Sequence, residues 1–220
     1  MKAEVQGAVA PRLLVGARGY AHRAWQGTFY PADLPPEWRF LFYSHRYPAI
    51  LLPARSWRSD GDTLVRLQDE APPEFRVVLE VSEGELARLE SAPLWPQPFV
   101  TACLVRLADL RPQHEAALVA LADVLPVVVD LKGRAAPSQA RLRELGLGLC
   151  GRPAQGRPPA GPYALSLVTR ADRALLGRGL RALLDVPAPR GRALFCTDPA
   201  TAIKGAEEAQ LIAELLPAAP

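Results

Sequence analysis

The stretch Leu13-Leu14-Val15-Gly16-Ala17-Arg18-Gly19-Tyr20 decides the fold of this chain, together with Trp25-Gln26-Gly27-Thr28-Phe29-Tyr30-Pro31, which follows it closely. The apolar start predicts a short buried strand. Gly16 and Gly19 predict the end of that strand, since glycine takes positive φ at little cost. The second half predicts a loop stiffened by its own rings, because large aromatic side chains bury area against one another. Trp25 could instead belong to a ligand-stacking platform, and we favour packing.

Length and composition predict one domain over residues 1–220, with a flexible N-terminus over residues 1–11. With 49% hydrophobic residues, 220 residues can bury one full core but hardly two. Cys103, Cys150 and Cys196 stand far apart without metal-ligand or redox spacing, so we expect buried free thiols in a cytoplasmic protein. No apolar run approaches the length of a membrane span, and we expect no membrane partner.

Short apolar runs alternate with amphipathic stretches along the whole chain. This alternation predicts eight parallel strands covered by helices. We predict strands at Leu13–Gly16, Ala49–Leu52, Phe75–Val81, Phe99–Leu107, Pro126–Leu131, Leu147–Cys150, Tyr163–Leu167 and Arg192–Cys196. We predict helices at Glu37–Tyr47, Asp62–Glu70, Ser82–Glu90, Gln113–Val124, Ser138–Leu145, Ala171–Leu184 and Thr201–Leu215.

Eight strands with about seven helices favour a compact (β/α)₈ barrel of the TIM type over an open doubly wound sheet. Gly151–Pro162 is crowded with proline and glycine, so the connection after the sixth strand is predicted to be irregular instead of helical.

Four segments resemble the YecE-like family, also called domain of unknown function 72. They are Gly16-x-x-Gly-Tyr, Trp25-x-Gly-x-Phe-Tyr-Pro31, residues 63–80 and residues 193–206. The resemblance spans nearly the whole chain in order, which makes the chain a divergent and shortened member. It implies a (β/α)₈ barrel, and it implies no settled activity.

Most polar residues that the resemblance places at the strand ends are replaced in this chain. A Val-Glu-x-Asn sequence on the second strand becomes Ile50-Leu51-Leu52-Pro53, and a lysine on the third strand becomes Glu80. A Glu-x-Arg sequence on the fifth becomes Asp130-Leu131-Lys132. The last two strands carry Ser166-Leu167-Val168 for Arg-x-His, and Cys196-Thr197 for paired asparagines. These changes favour a barrel that has lost its polar mouth.

The candidate catalytic residues are few. Glu80, Asp130 and Asp198 fall near predicted strand ends, where barrel enzymes place their chemistry. Lys132 alternates with Asp130 and is predicted to face the same side, as a charge-paired site or as a structural ion pair. Glu80 could equally be the partner of a nearby arginine. We expect no metal and no cofactor.

The candidate ligand-binding residues are mostly arginines on predicted mouth-side loops. Between residues 133 and 192, eleven arginines stand against three carboxylates. Arginine suits phosphate, although exposed arginine that contacts nothing is an equally good interpretation. The mouth-side arginines are Arg18, Arg55, Arg58, Arg134, Arg152, Arg157, Arg170 and Arg173, and we add His22 and Trp25 as ligand-binding candidates on the first loop.

Three functions follow, and we favour the first. The first is a non-catalytic binding or assembly module, whose partner would be a protein or an anionic ligand. The second is a hydrolase or lyase acting on a phosphorylated or nucleic-acid substrate, with Glu80, Asp130 or Asp198 at the chemistry and Arg170 or Arg173 as phosphate clamp. The third is a nucleic-acid backbone binder. Trp57 and Tyr163 are the candidate stacking rings for that last function.

Overall fold

A computed structural model describes residues 13–57, 63–89, 98–132 and 136–216 of the chain. The predicted flexible N-terminus, Arg58 and Arg134 lie outside the described residues. Within the described residues, strands and helices alternate from one end to the other. The described helices include none that is both long and apolar enough to cross a membrane.

The strands form one parallel sheet of eight. They are β1 (Leu13–Arg18), β2 (Ala49–Leu52), β3 (Arg76–Ser82), β4 (Val100–Leu107), β5 (Val127–Leu131), β6 (Gly148–Leu149), β7 (Tyr163–Val168) and β8 (Gly191–Cys196). Consecutive strands pair from β1 to β6 and from β7 to β8, and β1 pairs with β8 over five residues. This order confirms the predicted (β/α)₈ barrel.

Helices cover the outside of the sheet. They are α1 (Arg39–Ser44), α2 (Thr63–Glu70), α3 (Glu83–Leu89), α4 (Pro112–Ala122), α5 (Ala136–Glu144), α6 (Arg173–Leu184) and α7 (Ala202–Leu215). Each predicted helix is present, although α1 begins two residues later and ends three residues earlier than predicted. The backbone N–H and hydroxyl of Ser82 both donate to the Glu85 carboxylate, which caps the start of α3.

The barrel closes between β6 and β7 through one residue. The Gly151 N–H donates to the Leu165 carbonyl at 2.7 Å, and the Leu167 N–H donates to the Gly151 carbonyl at 3.0 Å. No α-helix lies between these strands; residues 151–162 form a small hairpin around a 3-10 turn, with Arg152 and Arg157 paired on either side of the turn. The irregular connection predicted from the proline and glycine content is confirmed.

The core has two layers, as alternating side chains on a closed sheet require. Inward side chains fill the barrel, and among the largest are Leu104, Tyr163 and Phe195. Outward side chains pack under the helices in a larger cluster that includes Phe40 and Leu180.

Gly16 is needed for a different structural reason from the one predicted. It does not have positive φ, which among the first glycines belongs to Gly19 at +76°. Instead β1 and β2 approach so closely that a Cβ on Gly16 would lie 2.0 Å from the Ala49 carbonyl oxygen. Glycine is required there for space, and the strand continues to Arg18.

Candidate functional site

The carboxyl ends of β3, β4 and β5 bring charged side chains to the mouth of the barrel. Glu80, Arg106 and Asp130 continue the inward faces whose preceding residues, Val78, Leu104 and Val128, fill the interior. Arg106 and Asp130 are direct neighbours across the β4–β5 register. The alternation of the strands therefore places two carboxylates and one guanidinium at the end where barrel proteins carry their sites.

Glu80 is fully engaged by Arg18. The Arg18 guanidinium donates from Nε to Oε2 at 2.6 Å and from Nη2 to Oε1 at 2.7 Å, a bidentate pair that spans 62 residues of sequence. The Trp57 indole N–H donates to the Glu80 backbone carbonyl at 3.2 Å. Both carboxylate oxygens of Glu80 therefore accept from one arginine, as the alternative interpretation of this residue predicted.

Asp130 is held by two arginines from the hairpin after β6. Arg152 donates from Nε to Oδ1 at 3.1 Å and also from Nη2 to Oδ2, and Arg157 donates from Nη2 to Oδ1 at 2.8 Å. Arg157 further donates to the carbonyls of Cys150 and Leu131. The hairpin is thereby tied to the floor of the mouth. We call Arg18, Glu80, Arg106, Asp130, Arg152 and Arg157 the mouth cluster.

Arg106 lies between the two carboxylates but makes no close hydrogen bond with either of them. Its Nη2 is 3.5 Å from Glu80 Oε2, and its Nε is 3.9 Å from Asp130 Oδ2. Its Nε is buried and has no hydrogen-bond partner in the described part of the chain. With 32% of its side chain exposed, Arg106 is the most exposed member of the mouth cluster, and it keeps donors that another acceptor could use.

The electrostatics of the mouth cluster favour charged arginines. The hydrogen bonds from Arg18 to Glu80 raise the pKa of Arg18 above its ordinary value, although burial opposes them. Burial lowers the pKa of Arg152, but the hydrogen bonds and charge of Asp130 outweigh it, so the pKa of Arg152 is also raised. Four guanidinium groups thus face two carboxylates, which leaves two positive charges in excess.

Lys132 does not pair with Asp130 as the sequence suggested. It is exposed and makes no ion pair with any residue that the structure describes, and Asp130 takes arginines instead. Asp198 lies after β8, where its carboxylate accepts from the Ala200 N–H and the Thr201 hydroxyl. It therefore shapes the turn that leads into α7.

Arg170 and Arg173, the predicted phosphate clamp, are both exposed. Arg170 is exposed after β7. Arg173 lies in the first turn of α6, where its Nε donates to Glu208 of α7 at 2.6 Å. Its side chain is 82% exposed, so this contact ties two outer helices together at the surface.

The loop after β1 forms an aromatic cluster, by which we mean Trp25, Phe29, Tyr30, Tyr43 and Tyr47. Trp25 has 2% of its surface exposed, and its indole N–H donates to the Pro199 carbonyl at 2.7 Å. Its ring stacks parallel to Tyr43 at 6.3 Å. The packing interpretation agrees with this burial, which leaves Trp25 no free ring face for a ligand to stack on.

His22 is joined to the aromatic cluster. Its ring lies 4.6 Å from that of Trp25, and its Nε2 is 2.7 Å from the Arg18 carbonyl oxygen. Because a carbonyl only accepts, the Nε2 must carry the proton. His22 thus binds the backbone of Arg18, whereas the side chain of Arg18 extends to Glu80 at the mouth.

The three cysteines are free and buried, as predicted. Burial raises the pKa of Cys103, Cys150 and Cys196 to about 12 each, and the charge of Asp130 adds to this effect at Cys150. Thiols with such pKa values are almost entirely protonated at neutral pH and are poor nucleophiles.

Arg106 is not among the site residues predicted from the sequence, and Arg157 has a larger part in the mouth cluster than its sequence position suggests. Arg106 stands on the inward face after Ala102 and Leu104, and a charge at the end of an apolar face is a detectable signal. Arg157 was only one of several arginines on mouth-side loops. Nothing in its local sequence shows that it turns back to reach Asp130.

One solved structure resembles this chain over nearly its whole length. It is the crystal structure of a DUF72 family protein from Thermotoga maritima MSB8, with a TM-score of 0.64 and 13% sequence identity, over 92% of this chain and 98% of that one. No family model matches the chain, and no curated protein matches it. The structural likeness and the sequence resemblance point the same way, and the chain has the fold of a DUF72 protein.

Proposed function

We propose that this barrel is a binding module without catalytic chemistry of its own, and that its mouth holds an anionic group such as a phosphate. The observation that carries the proposal is the state of the mouth cluster. Both carboxylates are already bound by arginines, whereas the guanidinium groups outnumber them by two. A carboxylate has about four acceptor sites, of which the arginines occupy two on Glu80 and three on Asp130, so fewer remain for a metal ion or for a transferred proton.

Arg106 is the residue that we assign to the ligand. Its buried Nε has no hydrogen-bond partner among the described residues, and an unsatisfied buried donor costs about 1 to 3 kcal/mol. A phosphate oxygen would satisfy it with a charge-assisted hydrogen bond. Arg18 and Arg152 flank this position, each held in place by its carboxylate, so little side-chain entropy is lost when the anion binds.

The nucleic-acid alternatives have less support. Trp57 has 7% of its surface exposed and Tyr163 has 1%, so neither presents a face on which a base could stack. A phosphorylated small molecule needs only the arginines. We therefore assign the mouth to that class.

Calorimetric titration with inorganic phosphate at constant ionic strength tests the assignment. We expect saturable binding, weakened about tenfold or more in Arg106→Ala because one charged hydrogen bond contributes roughly 1.5 kcal/mol. Arg143→Ala is the matched control: Arg143 is exposed on α5 and makes no ion pair in the described part of the chain. The proposal fails if Arg106→Ala binds phosphate like the wild type. Turnover of a phosphate ester that is lost in Asp130→Asn would overturn the non-catalytic part.

A further inference from the structure

The connection without a helix between β6 and β7 leaves a cavity on the outside of the barrel, where Ser166 on the outward face of β7 lines it. It measures about 400 Å³ and lies between the hairpin of residues 151–162 and helix α6. Ligand pockets in proteins begin at about 300 Å³, so the space suits a small molecule. At one end Pro153 packs against Gly179 of α6, which brings the hairpin into contact with the helix.

The wall of the cavity is apolar on the hairpin side. Pro153, Gly156 and Pro158 line it there, and Ala182 lines it on α6. Arg157 contributes to the lining, but its guanidinium is directed to Asp130 and two backbone carbonyls at the mouth. Such a wall accommodates the carbon skeleton of a ligand.

Ser166 places an unusual hydroxyl in this lining. The residue is on the outward face of β7 between Ala164 and Val168, both of which belong to the apolar outer core. Ser166 is completely buried, and its Oγ has no hydrogen-bond partner among the residues described. Buried hydroxyls in proteins are almost always bonded, so this one can take a donor or acceptor that is not among the described residues, such as a ligand in the cavity.

The rim of the cavity is positively charged. Arg178 and Arg181 stand one turn apart on α6, both exposed, and neither makes an ion pair with any described residue. Asp185 follows one turn later at the end of the helix and also lies on the rim. No ion pair within 4.0 Å joins it to Arg181. No described residue accepts a hydrogen bond from either arginine side chain, so their donors are available to a ligand.

We propose that this cavity is a second ligand site, for a small organic anion. The carbon skeleton of the ligand packs on the two prolines, its anionic group binds Arg178 and Arg181, and a polar edge reaches Ser166. The site is separate from the mouth, because the guanidinium of Arg157 and the backbone of the hairpin stand between them. It does not depend on whether the mouth binds phosphate.

Phenyl phosphate is the probe, since it joins an apolar ring to an anionic group. We expect saturable binding by calorimetry, weakened about three- to tenfold in the double variant Arg178→Ala/Arg181→Ala. The matched control is Arg143→Ala/Arg190→Ala, which removes the same charge from two other exposed arginines and should bind like the wild type. Ser166→Ala should weaken binding by a few-fold without lowering the melting temperature.

Three results would overturn the second site. One is an affinity for phenyl phosphate that survives Arg178→Ala/Arg181→Ala. Another is an affinity that Arg106→Ala abolishes, which would show that the probe binds at the mouth. The third is the absence of saturable binding at millimolar probe. Inorganic phosphate, titrated in parallel, reports on the mouth, so failure of one site is distinguishable from failure of the other.

Discussion

β1 contributes Arg18 to the mouth cluster and leads directly into the loop of the aromatic cluster, yet the two clusters differ in how many of their polar groups have hydrogen-bond partners. The Trp25 N–H, the Tyr30 hydroxyl and the Tyr43 hydroxyl each have a backbone partner within 3.0 Å. In the mouth cluster, Arg106 keeps a buried donor unused, and positive charge is in excess. A region whose polar groups are all hydrogen-bonded within the protein stabilises the fold. A region with unbonded donors can bind a ligand.

The largest effect that we expect comes from a substitution beside the aromatic cluster. Gly16→Ala would place a Cβ 2.0 Å from the Ala49 carbonyl oxygen and 3.0 Å from the Tyr43 hydroxyl. Backbone cannot move aside cheaply, so β1 and β2 would separate where Tyr43 joins them, accepting from the Ala17 N–H and donating to Ala49. We expect a loss of more than about 4 kcal/mol in the free energy of unfolding, measured by urea denaturation.

Gly177→Ala is the control for that experiment. Gly177 lies within α6, and a Cβ there would meet nothing within 4 Å. Alanine should raise the free energy of unfolding by about 0.5 to 1 kcal/mol, because it is the better helix former. If Gly16→Ala lowers the free energy of unfolding no more than Gly177→Ala does, then β1 and β2 do not approach each other as closely at Gly16 as described.

The second prediction concerns the mouth cluster. Asp130→Asn leaves Arg152 and Arg157 without their carboxylate in a buried site. We therefore expect the free energy of unfolding to fall by about 2 to 4 kcal/mol. The same change raises the excess positive charge, so phosphate should bind more tightly to the folded variant. Stability and affinity thus move in opposite directions, which urea denaturation and calorimetric titration measure separately.

Glu115→Gln is the matched comparison for Asp130→Asn. Glu115 pairs with Arg141 between α4 and α5 in an exposed bridge, and such bridges contribute little to stability. We expect a much smaller change in the urea midpoint and no change in phosphate affinity. Equal losses in the two variants would mean that the Asp130 pairs are no more than surface bridges.

The difference between the two clusters also explains what the sequence could predict. Trp25, Tyr30 and Tyr43 lie close together along the chain, so neighbouring rings and glycines were enough to predict a packed loop. The eight strands were predictable for the same local reason, as was the absence of a helix after β6. The pair between Arg18 and Glu80 joins residues 62 apart and depends on the closure of the barrel.

Arginine partners were the least predictable feature. A long side chain at a loop can turn toward the mouth, as Arg152 does, or toward a neighbouring helix, as Arg173 does with Glu208. Local sequence does not distinguish these outcomes, because Arg152 and Arg173 both follow a strand and both lie in segments that contain several arginines. Lys132 illustrates the same limit: β5 ends at Leu131, so Lys132 lies beyond the strand, and its alternation with Asp130 in the sequence does not identify a partner.

The smallest predicted effect examines one hydrogen bond of the aromatic cluster. Trp25→Phe keeps a ring beside Tyr43 and removes the indole N–H that donates to the Pro199 carbonyl. The lost bond and the smaller ring should together lower the free energy of unfolding by about 1 to 2 kcal/mol. Because Trp25 is buried and its ring binds no ligand in our proposal, phosphate and phenyl phosphate should bind the variant unchanged. A weakened affinity at unchanged stability would instead assign Trp25 to the ligand, and the distinction between a structural cluster and a binding cluster would fail at this residue.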